Sequence, residues 1–187
     1  MRVGIVGSGR IGSALGRLLV SGGYEVLFSA ASPGSAEAAA SAAGGGARSG
    51  SPMEAARFGE VVAIAVGWEA FPEVAEEIGG ALSGKVVIDP SNPIAERDGR
   101  TLVLAVPDGL TSPQYQQRVL GQDIRLVRTF NTKFSHELLE LGTAGQRGGP
   151  RADMPYWGDD DAKKSVVPLI EDAGFTAIDG GGLAEAL

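Results

Sequence analysis

The sequence predicts a single-domain, three-layer α/β fold built on a doubly wound, mostly parallel sheet. Three observations predict it. Short β-branched runs alternate with helical stretches along the chain. One of these runs, EVVAIAV at residues 60–66, is apolar throughout, as strands buried on both faces are. At 187 residues the chain can enclose one well-formed core.

Each element follows in order. RVGIV (2–6) is the first strand, and a helix over about residues 11–20 follows its glycine loop. YEVLFS (24–29) is the second strand, and SAEAAASAA (35–43) is a helix closed by Gly44, Gly45 and Gly46. A short strand around Ala47 and Arg48 leads to Ser51-Pro52-Met53-Glu54, a capping box with proline at the first helical position. After the strand at 60–66 come a helix over about 69–78 and the strand KVVID (85–89). Residues 93–112, with irregular spacing, predict a long excursion holding a short strand at TLVLAV. A short helix opens at Ser112-Pro113, and DIRLVRT (123–129) is the next strand. Ser135 is placed as a helix N-cap, and GTAGQRGGPRAD (142–153) as a flexible loop. A strand at MPYW, a helix over about 160–173 and the strand FTAID (175–179) bring the count to seven or eight strands in one layer.

Composition narrows the function. A net charge of −7 gives no basic field for nucleic acid or an anionic membrane surface. No apolar run approaches the ~18–20 residues of a membrane span. Cysteine is absent and His136 is the sole histidine, which excludes a thiol nucleophile and leaves little to hold a metal. A cytoplasmic protein without nucleic-acid or membrane partners is the expectation.

The chemistry begins at Gly7-Ser8-Gly9-Arg10-Ile11-Gly12, a GxGxxG motif directly after a strand and opening a helix. That context marks a Rossmann-like, NAD(P)-binding domain spanning the whole chain. Gly7 permits the tight turn, Gly9 lets the backbone approach a pyrophosphate, and Gly12 permits close helix packing. The helix N-terminus presents free N–H groups to the phosphates. The second strand ends in Ser29, Ala30, Ala31 and Ser32, without the acid that would hold the adenosine ribose of NAD. Ser29 and Ser32 offer hydroxyls to a 2′-phosphate, which tilts the reading toward NADP. Arg10 and Arg48 are the basic candidates beside it.

The stretches VGIVGSGRIGSAL, SPMEAARFGEVVAIAV, WEAFPEV, GKVVIDPSNPI, RTFNTKF and WGDDDAKKSVVPLIEDAGF together resemble the NADP-binding domain of the F420-dependent NADP oxidoreductase family. The other electron partner of that family is a deazaflavin. The resemblance implies that Gly7 to Gly12 hold the pyrophosphate. It implies that Val66, Gly67 and Trp68 line the ribose side, and that Ser91, Asn92 and Pro93 border the nicotinamide together with Thr129, Phe130 and Asn131. Asn92 and Asn131 have a second reading, as side chains that tie their own turns. The chain departs from the family pattern where Ala30 and Ala31 replace a Ser-Arg pair and where Gly67 replaces a proline. NADP preference therefore rests on the resemblance.

No catalytic acid or base is assigned. His136, Lys133 and Tyr115 are the candidates, and a surface role suits His136 and Lys133 as well. Hydride exchange between nicotinamide and a deazaflavin (coenzyme F420) or flavin co-substrate needs chiefly two stacked rings and a dry site. A pocket lined by Trp68, Phe130, Asn92 and Asn131 suits it. Two other readings stay open: NADPH-dependent reduction of a small carbonyl or imine, and a non-catalytic dinucleotide sensor. The expected partner is a small-molecule redox compound, and a homodimer in which a second subunit covers the pocket is allowed.

Overall fold

Runs of Val, Ile and Ala become the inner strands of one sheet in a computed structural model that describes residues 1–186, the side chains at 96, 97 and 108 excepted. These strands are β1 (Arg2–Val6), β4 (Val61–Ile64), β5 (Val86–Asp89) and β8 (Arg125–Thr129). β2 (Glu25–Ser29) and β3 (Arg48–Gly50) extend the sheet on one side, and β9 (Asp153–Gly158) and β10 (Thr176–Asp179) on the other. The order is β10-β9-β8-β5-β4-β1-β2-β3. Every pairing in this sheet is parallel except β8 with β9.

Side chains alternate across the sheet, as the two-residue period of a strand requires. Val3, Ile5, Val61, Ala63 and Ile88 face one layer of helices: α1 (Arg10–Ser21), α2 (Pro33–Ala43), α6 (Ser135–Gln146) and α7 (Asp160–Asp172). Val6, Val62, Ile64 and Val87 face the other: α3 (Pro52–Phe58), α4 (Phe71–Ile78) and α5 (Ser112–Leu120). Two apolar cores sandwich the sheet, and the three-layer prediction stands. Among the described residues no helix is long and apolar enough to cross a membrane.

Three local expectations change. Residues 142–146 are the end of α6 rather than a loop, because Gly142 and Gly145 serve packing. A Cβ at Gly142 would lie 2.7 Å from the Ala173 carbonyl oxygen, and one at Gly145 would overlap the Gly174 carbonyl. The N-cap of α6 is Phe134, not Ser135; its N–H donates to the Glu137 carboxylate at 3.0 Å. The excursion after β5 is a hairpin of β6 (Ile94–Arg97) and β7 (Arg100–Val103). Asp98 and Gly99 form its two-residue turn with φ of 51° and 71°, a signal of the Asp-Gly type readable in the sequence. The capping box at Ser51 and Glu54 is present as expected.

Candidate functional site

The carboxyl ends of β2, β1, β4, β5 and β8 lie side by side along one edge of the sheet. Four inter-strand spacings of ~4.8 Å make this edge about 19 Å long. Most of the residues singled out from the sequence fall along it, at these strand ends or in the first turn after them.

At the β1 end, Gly7 adopts φ +97°, and its N–H donates to the Ser29 carbonyl at 3.0 Å. Ser8 ties the same carbonyl through its hydroxyl at 2.8 Å, and Ser13 Oγ donates to the Ser8 carbonyl at 2.9 Å. A Cβ at Gly12 would overlap the Gly7 carbonyl, so this glycine is required by the fold itself. Gly9 is different. A Cβ there would meet nothing within 4 Å, and its φ of −71° is open to any residue. The fold gives no reason for a glycine at that point. Gly9 caps α1 without a side-chain bond, and the first N–H bonded back along the helix is that of Ser13. The preceding N–H groups, from Arg10, Ile11 and Gly12, are left for an acceptor outside the helix. Gly9 thus leaves the donors at the start of α1 open to approach by an anion.

At the β2 end, Ser29 is not available to a ligand. It is fully buried, and its hydroxyl donates to the Ile5 carbonyl at 3.1 Å. Ser32 is exposed and starts α2 without a capping bond from its side chain. Arg48 lies at the amino end of β3, away from this edge, with its guanidinium 4.4 Å from the Phe58 ring centre. Arg10, exposed on the first turn of α1, is the remaining basic candidate.

At the β4 end, Gly67 is exposed and Val66 half-buried, while Trp68 packs at 5.5 Å on the Tyr115 ring of α5. Trp68 is 9% exposed, so little of its ring faces the edge.

The β5 and β8 ends hold a network that the sequence reading missed. Asp89 and Arg128 stand opposite each other in register and are 0% and 1% exposed. Arg128 donates to the Asp89 carboxylate at 2.9 Å, to the Ser91 carbonyl at 2.8 Å and to the Asn92 side-chain oxygen at 2.9 Å. Asp89 also accepts the Ser91 N–H at 2.9 Å. Burial pushes the Asp89 carboxyl up from its ordinary value, and Arg128 works against that rise. Asn92 donates its amide to the Asn131 carbonyl at 2.9 Å, joining the two loops. Gln116 of α5 donates to the Ser91 hydroxyl at 2.8 Å. Asn131 Oδ1 is buried without a partner among the described residues. The signal was readable: an acid ends the otherwise apolar β5, and an arginine sits near the end of the inner strand β8.

Two residues assigned to the nicotinamide end belong elsewhere. Phe130 is fully buried and meets the Phe175 ring edge-on at 6.3 Å, so its ring fills the core. Its φ of +62°, uncommon for a bulky residue, turns the chain at this strand end. Thr129 is buried too, its hydroxyl donating to the Pro155 carbonyl at 3.0 Å. Pro93 supplies its carbonyl to the N–H of Leu104, anchoring the hairpin. His136 is exposed and stacked on Phe134, a surface residue in the first turn of α6.

Residues 2–93 match the family described as NADP oxidoreductase, coenzyme F420-dependent. Over those residues, just under half of the chain, the sequence is similar to that family. That match supports NADP-dependent oxidoreductase activity. Among solved structures, a hypothetical protein from Sinorhizobium meliloti is 24% identical with a TM-score of 0.83, covering 99% of this chain and 86% of that one. A candidate F420-dependent NADP reductase from Arthrobacter sp. FB24 is 19% identical with a TM-score of 0.77, covering 97% and 85%. An imine reductase from Pseudomonas sp. is 20% identical with a TM-score of 0.73, covering 99% of this chain but 57% of its own. At these identities the likeness is one of fold. No curated protein matches the sequence at a significant level.

Proposed function

We propose that the chain exchanges hydride between NADP(H) and a deazaflavin such as coenzyme F420, or a flavin, with the two rings stacked at the β5–β8 end of the edge. The observation that carries this reading is the sealed pair of Asp89 and Arg128. The acid and the base that close β5 and β8 are buried and bonded to each other, which leaves them poorly placed to move a proton. Reduction of a carbonyl or imine calls for a proton donor beside the reacting carbon. Exchange between two ring cofactors does not, because the cofactors carry the reactivity.

The residues fit a dinucleotide. The free space at Gly9, with the donors of α1, suits the pyrophosphate. Arg10 and Ser32 are the groups left to hold a 2′-phosphate, and no acid at the β2 end opposes one. Val66, Gly67 and Asn92 border the nicotinamide half, and the unpaired Asn131 oxygen is an acceptor kept dry near it. When bound, the nicotinamide supplies or receives the hydride, and the chain's part is to hold the two rings in register and exclude water.

Fluorescence titration tests this directly. NADPH binds and is oxidised on adding a deazaflavin or flavin, whereas simple carbonyls and cyclic imines leave it unchanged. Failure of both NADPH and NADH to bind at submillimolar concentration overturns the reading. Binding without oxidation by any acceptor would favour the sensor, and imine reduction would favour the reductase. A homodimer that covers the edge belongs to the same proposal, with sedimentation as its measure.

A further inference from the structure

We infer that Arg128 is a positioning residue that locks the loops after β5 and β8 into one ledge for the nicotinamide ring. The inference rests on the proposed NADP reading. A buried ion pair by itself explains little, since replacing such pairs with apolar groups is often neutral for stability. What sets this pair apart is where the rest of the guanidinium goes. One nitrogen serves both the Asp89 carboxylate and the Ser91 carbonyl, and the other reaches Asn92 Oδ1 at 2.9 Å. A planar fork can meet acceptors in fixed directions; a lysine ammonium acts as a point charge and cannot reproduce that geometry.

The consequence passes through Asn92. With its oxygen held by Arg128, its amide nitrogen is directed at the Asn131 carbonyl, 2.9 Å away on the neighbouring loop. Gln116 fixes the same loop from α5 through the Ser91 hydroxyl. The loops after two adjacent strands are thereby tied through Asn92, which Arg128 orients and whose oxygen also accepts the Asn131 amide at 3.5 Å. The bonds that tie the phosphate end, at Gly7 to Gly12, run to Ser29 and within the loop itself. Arg128 therefore governs ring placement and leaves anchoring of the phosphates alone.

The test is Arg128→Lys, which keeps the charge beside Asp89. Three readouts are compared with wild type: calorimetric affinity for 2′-phospho-ADP-ribose, which lacks the nicotinamide; the fluorescence lifetime of bound NADPH; and kcat with a deazaflavin. The expected result is unchanged fragment affinity, a bound-NADPH lifetime moved toward that of free NADPH, and a kcat lower by about 100-fold with little change in KM. An unaltered lifetime and kcat overturn the inference. So does an equal loss of fragment and NADPH affinity, which a purely structural role would produce. Should the lysine variant not fold, Asp89→Leu combined with Arg128→Met removes the ties within an apolar replacement, and the same three readouts decide. Absence of NADPH binding by the wild-type chain is a separate outcome, which removes the underlying reading as well.

Discussion

Gly9 and Gly12 stand three positions apart in one loop and answer to different demands. Gly12 has no room for a methyl group against the Gly7 carbonyl, so Gly12→Ala forces the backbone to move. Overpacking of that kind costs typically 1–3 kcal/mol, and chemical denaturation will show the loss with or without ligand. Gly9 faces open space, so Gly9→Ala costs the fold no more than about 1 kcal/mol, for a poorer N-cap. Its effect falls on the ligand: NADPH affinity drops at least tenfold by calorimetry while the melting temperature hardly moves. An unchanged affinity would show that no phosphate approaches there. The motif assigned the two glycines different roles from sequence, and the packing agrees with that division. Ser29, Thr129 and Phe130 carry the converse lesson. Their positions at strand ends were legible, yet whether a side chain points to the edge or to the core depends on the pleat and the turn, which spacing alone did not resolve.

At the scale of elements, most boundaries followed from apolar period and capping chemistry, and the failures have a common cause. Gly142 and Gly145 read as loop formers because glycine is a poor helix residue, about 1 kcal/mol below alanine. Contact of α6 with Ala173 and Gly174 overrides that preference, a tertiary effect invisible to local propensity. The hairpin of β6 and β7 is the opposite case, since its Asp-Gly turn was present in the sequence and went unused. Gly67, between β4 and α4, yields a prediction of its own. It has φ −61° and ψ 147°, space for a side chain and, among the described residues, no backbone partner for its N–H. These are the angles of proline, which the resembling family carries at this position. Gly67→Pro should raise stability by about 0.4–1 kcal/mol, chiefly by restricting the unfolded chain. Thermal melting checks it, and a fall in melting temperature would mean that the N–H is needed after all.

Across the whole molecule, the reversal of direction between β8 and β9 ends the candidate site. Beyond it, β9, β10 and α7 carry no residue of the edge and act as a closing wall. A salt bridge binds that wall: Lys163 of α7 reaches Asp179 of β10 at 2.7 Å, their side chains 9% and 51% exposed. The bond to Lys163, with a second from the Gly181 N–H, holds the Asp179 carboxyl below its usual range. Burial acts against the charge of Lys163, but the bond to Asp179 prevails and raises its pKa. The signs follow from linkage. A depressed aspartate stabilises the fold above its unfolded pKa of ~3.9, and that share is lost as pH falls through the folded value. A raised lysine stabilises below ~10.4, and its share is lost as pH rises through the folded value. Asp179→Asn should therefore melt lower than wild type across the neutral range, with the gap closing at both acid and alkaline extremes. Half-exposed pairs contribute at most about 1 kcal/mol, which for a domain of this size is a shift of roughly 2–4 °C. NADPH affinity should be untouched, because the pair lies on the wall, beyond the strand ends that form the edge. A variant that loses NADPH binding at unchanged melting temperature would show that the wall takes part in the site.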